Sequence, residues 1–195
     1  TLLDLGESPI ANNLVDLSNS SLQNHCYPLK AMTCMTCSLV QLSEALPREI
    51  LFKPDYVYYS SYSTSWLEHS KLYAQKMVQF LNLNHSDLVI EVASNDGYLL
   101  QHFLPHNIDV LGIEPATNVS EIARKIGVPT INDFFTEELA IKLLEKYGNP
   151  KLIIANNVLA HVPNMKDFLM GISILADNNT LISIENPSLV NLLDA

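Results

Sequence analysis

Apolar positions along the chain change their period near residue 62. Before it, short runs are separated by turn formers; strands are expected at Leu29–Thr33 and Leu39–Leu42, within a loop-and-strand module spanning residues 1–61. Beyond it, Trp66, Ser70, Tyr73, Ala74, Met77, Val78 and Leu81 recur at helical spacing. Ser65 followed by Glu68 has the form of a capping box, so a linker helix is expected over Ser65–Leu83 within residues 62–86. From residue 87 to 195, strand-like runs (Leu88–Val92, Val110–Ile113, Val128–Ile131, Leu152–Ala155, Leu181–Ile184) alternate with helical ones (Tyr98–Leu104, Asn118–Ile126, Glu137–Tyr147, Met165–Leu175). Gly127 and Gly148 stand at C-cap positions, and Asn164 with Asp167 forms an N-cap. Five strands alternating with four helices predict an α/β fold with a doubly wound parallel sheet. No internal repeat is visible.

The first strand of that sheet runs into a turn, Glu91-Val-Ala93-Ser-Asn95-Asp-Gly97, at the carboxyl edge where such sheets bind ligands. A dinucleotide fingerprint would require glycine at Tyr98, so a nicotinamide cofactor is disfavoured. An acid-x-G-x-G-x-G spacing fits better, with Glu91 as the acid and Ala93, Asn95 and Gly97 on the glycine positions. Ala is small, and Asn tolerates left-handed backbone. That spacing points to S-adenosylmethionine. At the next strand end Glu114-Pro115 offers an acid for ribose hydroxyls, and the third ends in Asn132-Asp133-Phe134-Phe135, an acceptor beside an apolar face for adenine. Taken singly, Glu114 reads as a cap, Asp96 as a helix-dipole partner and Phe134 as core; their succession at strand ends carries the argument.

Composition narrows the partners. The chain has 195 residues, 48% hydrophobic and 16% charged, enough to bury a core. Its net charge of -10, from 21 acidic and 11 basic residues, and its lack of a Lys/Arg run disfavour nucleic acid. No apolar run approaches a membrane span and the first residues lack a signal-peptide pattern, so a cytoplasmic location is expected. Three cysteines, Cys26, Cys34 and Cys37, are too few for a disulfide framework. The chain opens on Thr1 with an apolar-polar pattern already under way, which suggests a fragment.

The stretches DLGESPIANN, YPLKAMTCMTCSLVQL, DYVYYSSYSTSW, EVASNDGYLL, LGIEPATNV and NNVLAHVPNMKDF resemble the sugar C-methyltransferases that methylate C3 of nucleotide-linked 4-keto-deoxysugars. The resemblance runs almost end to end. It implies a zinc-binding module with two cysteine pairs, then a Rossmann-like class I methyltransferase domain. Cys34 and Cys37 match the second pair; the first would lie upstream of Thr1, leaving the site incomplete, so weak or absent zinc binding is expected. The implied chemistry is deprotonation beside the sugar ketone and methyl transfer from S-adenosylmethionine to the enolate. His161, with Asn156 and Asn157 in the same segment, would lie at the cofactor edge, and Tyr56 or Tyr58 would face the sugar.

Two features depart from the family pattern. Glu185-Asn-Pro-Ser188 stands where Phe-Pro-His is expected, and the chain ends before a Tyr-His-Glu-His segment that holds the family's presumed base. The sheet also lacks two further strands. The reading is therefore a chain that binds S-adenosylmethionine and turns over poorly. A non-catalytic cofactor-binding or interaction module and an NAD-dependent oxidoreductase remain the alternatives.

Overall fold

The computed structural model describes residues 1–14, 25–52 and 55–193. Two compact units emerge, Thr1–Leu51 and Phe52–Ala195. The tyrosine-rich stretch lies within the second unit.

The first unit is an antiparallel sheet of β1 (Leu3–Pro9), β2 (Cys26–Thr33) and β3 (Val40–Leu42), with β2 central, followed by the short helix α1 (Arg48–Leu51). β1 was not expected from the sequence. Gly6, at φ 75°, lies where the pairing slips between Asp4 and Glu7, and that irregularity breaks the alternation that marks a strand. Asp4 sits opposite Lys30 and pairs with it at 2.8 Å. No residue of these strands is buried.

In the second unit, helix α2 (Thr64–Leu81) begins one residue earlier than expected and ends two earlier, at Asn82 in left-handed conformation. Its N-cap is Ser63, which accepts the Trp66 N–H at 3.3 Å; Ser65 bonds only the Ser63 hydroxyl, so the expected capping box does not form. The parallel sheet comprises β4 (Leu88–Val92), β5 (Asp109–Ile113), β6 (Thr130–Ile131), β7 (Leu152–Asn156) and β8 (Leu181–Glu185), in the order β6-β5-β4-β7-β8. Helices α3 (Thr117–Lys125), α4 (Glu137–Tyr147) and α5 (Met165–Leu175) connect them, and α6 (Leu189–Leu193) follows. Caps at Asn164 and Gly148 fall where the sequence places them.

Strand alternation sorts the core into two layers, as a sheet covered on both faces requires. Val89, Val110, Leu152 and Ile154 pack with Ala74 and Phe103. Ile90, Val92, Leu111 and Ile153 pack with Phe168 and Ile172 on the opposite face. The segment after β4 departs from expectation: Tyr98–Leu104 is not an α-helix. It forms two 3-10 turns, Leu100–His102 and Leu104–His106. Pro105 withholds a backbone donor there, and Asn107, left-handed at φ 55°, stops the winding.

No helix among the described residues is long and apolar enough to cross a membrane. The chain moves outward from β4 to β6, then returns across β4 to β7. The carboxyl ends of β4 and β7 therefore flank the switch point, where doubly wound sheets hold ligands.

Candidate active site

The turn after β4 places left-handed backbone at the three positions that the sequence assigned to glycine: Ala93 at φ 57°, Asn95 at 48° and Gly97 at 79°. Only Gly97 requires glycine for space as well. A Cβ there would meet Ala123, Ile126 and Val128 at 3.2 Å each, so its bareness lets α3 and its following loop close onto the turn. Gly112 on β5 plays a similar part, since a Cβ would run into the Ser94 hydroxyl.

Glu114 follows β5 directly and is 5% exposed. Its Oε2 accepts the Asn95 N–H at 3.0 Å and its Oε1 accepts the Ala116 N–H at 2.8 Å. Burial raises its pKa to about 7, against the two backbone donors, which favour the carboxylate; nearby Asp96 adds to the rise. Each oxygen keeps a second lone pair, so the carboxylate retains capacity for two hydroxyl donors. Asn132, at the end of β6, donates to the Glu114 and Pro115 carbonyls at 2.9 and 2.8 Å and fixes the course of that loop.

Beneath the turn lies an excess of acceptors. Both oxygens of Glu91, Oγ of Ser94, Oδ1 of Asp96 and Oδ1 of Asn156 are buried without a hydrogen-bond partner among the described residues. The Glu91 carboxyl is fully buried, which drives its pKa well upward; the Tyr98 phenol favours the ionised form without reaching hydrogen-bond geometry, while Glu114 and Asp96 oppose it. Tyr98 is itself pushed well up, chiefly by burial and then by Glu91. Unmet acceptors beside acidic groups suit a ligand bearing hydroxyls and a positive charge, and repel a pyrophosphate. S-adenosylmethionine brings hydroxyls and a sulfonium without a pyrophosphate, whereas a nicotinamide dinucleotide carries one.

The other expected site residues divide. Asp133 is exposed, and its Oδ1 accepts the next residue's N–H at 2.8 Å. Phe134 is half-buried, whereas Phe135 belongs to the core and meets Phe168 edge-on at 5.4 Å. Asn157 is left-handed at φ 53° and bonds Glu185 through both its backbone and side-chain N–H groups. His161 closes a 3-10 turn, Leu159–His161, and is exposed. Tyr58 is 51% exposed; Tyr56 is half-buried, with its ring 5.6 Å from that of Phe52.

A link that the sequence did not reveal joins the tyrosine segment to the turn. Asn95 Oδ1 accepts the Ser60 N–H at 2.8 Å, Asn95 Nδ2 donates to the Tyr58 carbonyl at 3.2 Å, and Asp96 Oδ2 accepts the Ser61 N–H at 3.2 Å. Asn118 on α3 accepts the Tyr56 N–H at 3.1 Å through Oδ1, and its Nδ2 donates to the Tyr56 carbonyl and to the Tyr59 hydroxyl at 2.7 Å each. Asn118 lies inside the stretch LGIEPATNV, but a polar residue in a helix's first turn carries no spacing signal of its own.

In the first unit, Cys34 and Cys37 flank a tight turn closed by Cys34 N–H to Leu39 O at 2.8 Å and Ser38 N–H to Cys34 O at 2.9 Å. Backbone N–H groups of Cys37 and Thr36 point at the Cys34 sulfur and lower its pKa. These donors favour the thiolate form of Cys34. Among the described residues no cluster of three or more Cys, His, Asp or Glu side chains forms; a tetrahedral zinc site takes four ligands, of which this pair would offer two.

Residues 66–190 match the family described as "Methyltransferase domain". The chain belongs to this S-adenosylmethionine-dependent methyltransferase family. Residues 1–52 match a second model described as "Putative zinc binding domain". The "C-methyltransferase NovU" of Streptomyces niveus is 30% identical over 192 residues, which is 98% of this chain and 46% of that relative; the chain thus spans about half its length. A solved S-adenosylmethionine-dependent methyltransferase from Archaeoglobus fulgidus shares the fold, with a TM-score of 0.51 at 14% identity over 64% of this chain and 57% of that one.

Proposed function

We propose that this methyltransferase acts on carbon, and that its substrate is a nucleotide-linked 4-keto-deoxysugar. The pool of unmet acceptors around the turn at 93–97 carries the cofactor half of this reading. The name of the Streptomyces relative supports transfer to carbon, and the sequence resemblance together with the tyrosine segment beside that turn supports the sugar substrate.

When bound, S-adenosylmethionine supplies an electrophilic methyl group. Glu114 holds ribose hydroxyls, Asp133 and Phe134 border the adenine, and Glu91, Asp96, Asn156 and Asn157 surround the charged end. Among the residues of this chain we assign to His161, exposed and without a side-chain hydrogen bond or ion pair among the described residues, the removal of the proton beside the ketone, a task that the resemblance gives to the Tyr-His-Glu-His segment. The electron pair of that C–H bond moves to the carbonyl oxygen, where Tyr58 or Tyr56 donates a hydrogen bond. The carbon made nucleophilic in this way would receive the methyl group, the electron pair of the broken carbon–sulfur bond staying on sulfur to leave S-adenosylhomocysteine.

Calorimetric titration separates the cofactors: S-adenosylhomocysteine binds and NADH does not, and the reverse would overturn the reading. With a nucleotide-linked 4-keto-deoxysugar, the 195-residue chain is expected to transfer methyl slowly. Robust turnover would show that no group outside these residues is needed. Binding of S-adenosylhomocysteine with no methylation of any such sugar would favour the non-catalytic alternative.

A further inference from the structure

Nucleotide-binding turns use glycine so that the backbone can approach the ligand, yet here the middle position is Asn95. A left-handed conformation does not call for a side chain, so the amide has another use. Its acceptor and its donor both face the main chain of Tyr58–Ser60, while Asp96 takes the next N–H. Ser60 is 7% exposed, so its N–H has little recourse to water. At the other end of the segment, Asn118 holds Tyr56 and Tyr59.

These two tethers share one anchor. The Glu114 carboxylate bonds the backbone of Asn95 through Oε2 and that of Ala116, two residues before Asn118, through Oε1. Whatever fixes that carboxylate also fixes the backbone from which both tethers reach the tyrosine segment.

We propose that Asn95 is a positioning residue that transmits cofactor occupancy at Glu114 to the segment Tyr56–Tyr62, so that the cofactor orders the sugar-facing wall before the sugar is held. This inference builds on the cofactor reading above. The occupied site binds the sugar nucleotide better because the wall's tyrosines are already arranged; the unoccupied one leaves them freer.

Amide hydrogen exchange on the 195-residue chain tests it, with and without saturating S-adenosylhomocysteine. In the unaltered chain the ligand slows exchange at Ser60 and Ser61 by about two- to tenfold, the factor that one net hydrogen bond supplies. Asn95→Gly keeps the left-handed backbone; at S-adenosylhomocysteine concentrations that saturate this variant, its Ser60 exchange is faster and does not respond to ligand. Asn95→Asp keeps the acceptor for the Ser60 N–H and restores the response. Retained response in Asn95→Gly, or no ligand effect in the unaltered chain that binds ligand, overturns the proposal. No binding of S-adenosylhomocysteine to the unaltered chain overturns the cofactor reading and the transmission together. In that case unequal ligand-free exchange at Ser60 in the two chains preserves the tether alone, and equal exchange removes it too.

Discussion

The N-terminal sheet and the parallel sheet are built on opposite economies. In β1, β2 and β3 no residue is buried, and Leu3 and Leu5 are among the exposed apolar side chains. In β4 every residue after Leu88 is buried, including a carboxylic acid. The first unit is held by its backbone ladder and tight turns, which a small sheet can rarely live on without a metal or covering partner. The second has a core on both faces and can afford to bury Glu91, Ser94 and Asp96 where a ligand needs them. The comparison teaches that packing reserves, more than local chemistry, decide where a polar site can be built.

Core truncation should expose the contrast most strongly. Phe103→Ala, at a fully buried position, is expected to cost about 3–5 kcal/mol, while Leu5→Ala stays within about 0.5 kcal/mol. Urea denaturation measures both, and equal losses would dissolve the distinction.

The acids of the second unit should next make its stability depend on pH. The folded pKa of Glu114, about 7, exceeds the ordinary 4.5, so the folded state holds the proton more tightly. Stability is then greatest below pH 4.5 as far as this group is concerned, and is lost as pH rises toward 7, by about 3 kcal/mol in full. Glu91 acts in the same direction. Thermal midpoints followed from pH 5 to 8 should fall, and Glu114→Gln should flatten part of that slope. An unchanged slope would mean that Glu114 is ionised at ordinary pH.

Gly97→Ala is expected to cost about 1–3 kcal/mol, because it forces a Cβ into left-handed backbone against α3. Asn95→Gly keeps an open φ but strips the buried Ser60 N–H of its acceptor, so it too should cost about 1–3 kcal/mol, from a different cause. A comparison of melting curves decides this, and the same pair of variants ranks the two positions for S-adenosylhomocysteine affinity.

The smallest effect belongs to the first unit's thiols. Metal analysis of the purified 195 residues is expected to find well under one zinc per chain, and Cys34→Ser should leave the melting of the second unit unchanged. Tight stoichiometric zinc would refute this and would show that the exposed sheet has a stabilising centre after all.

The parallel sheet was legible because β4, β5 and β7 are five-residue, largely apolar runs buried on both faces, and because caps such as Asn164 have local side-chain logic. The turn was legible through its spacing: Ala93, Asn95 and Gly97 share one backbone requirement despite different side chains. What stayed hidden was decided by tertiary competition. Ser63 outcompeted Ser65 for the cap of α2, and Pro105 with Asn107 overrode the helical look of Tyr98–Leu104. The tethers of Asn95 and Asn118 join positions far apart in sequence through main-chain atoms, which leave no trace in residue type.

The order of the strands also sets a timetable. Leu3 pairs with Ala31, a contact the chain can make almost as soon as both are synthesised. Val89 must wait for Leu152 before its second flank is closed, and long-range parallel pairing of this kind is slow. As the chain emerges during synthesis, β4, β5 and β6 can associate early, with one flank of β4 still open to water and to other chains. Glu91 stays hydrated through that interval. Its burial, and with it the polar floor of the crevice, is completed only when β7 docks, so the site is among the last parts of this unit to come into being.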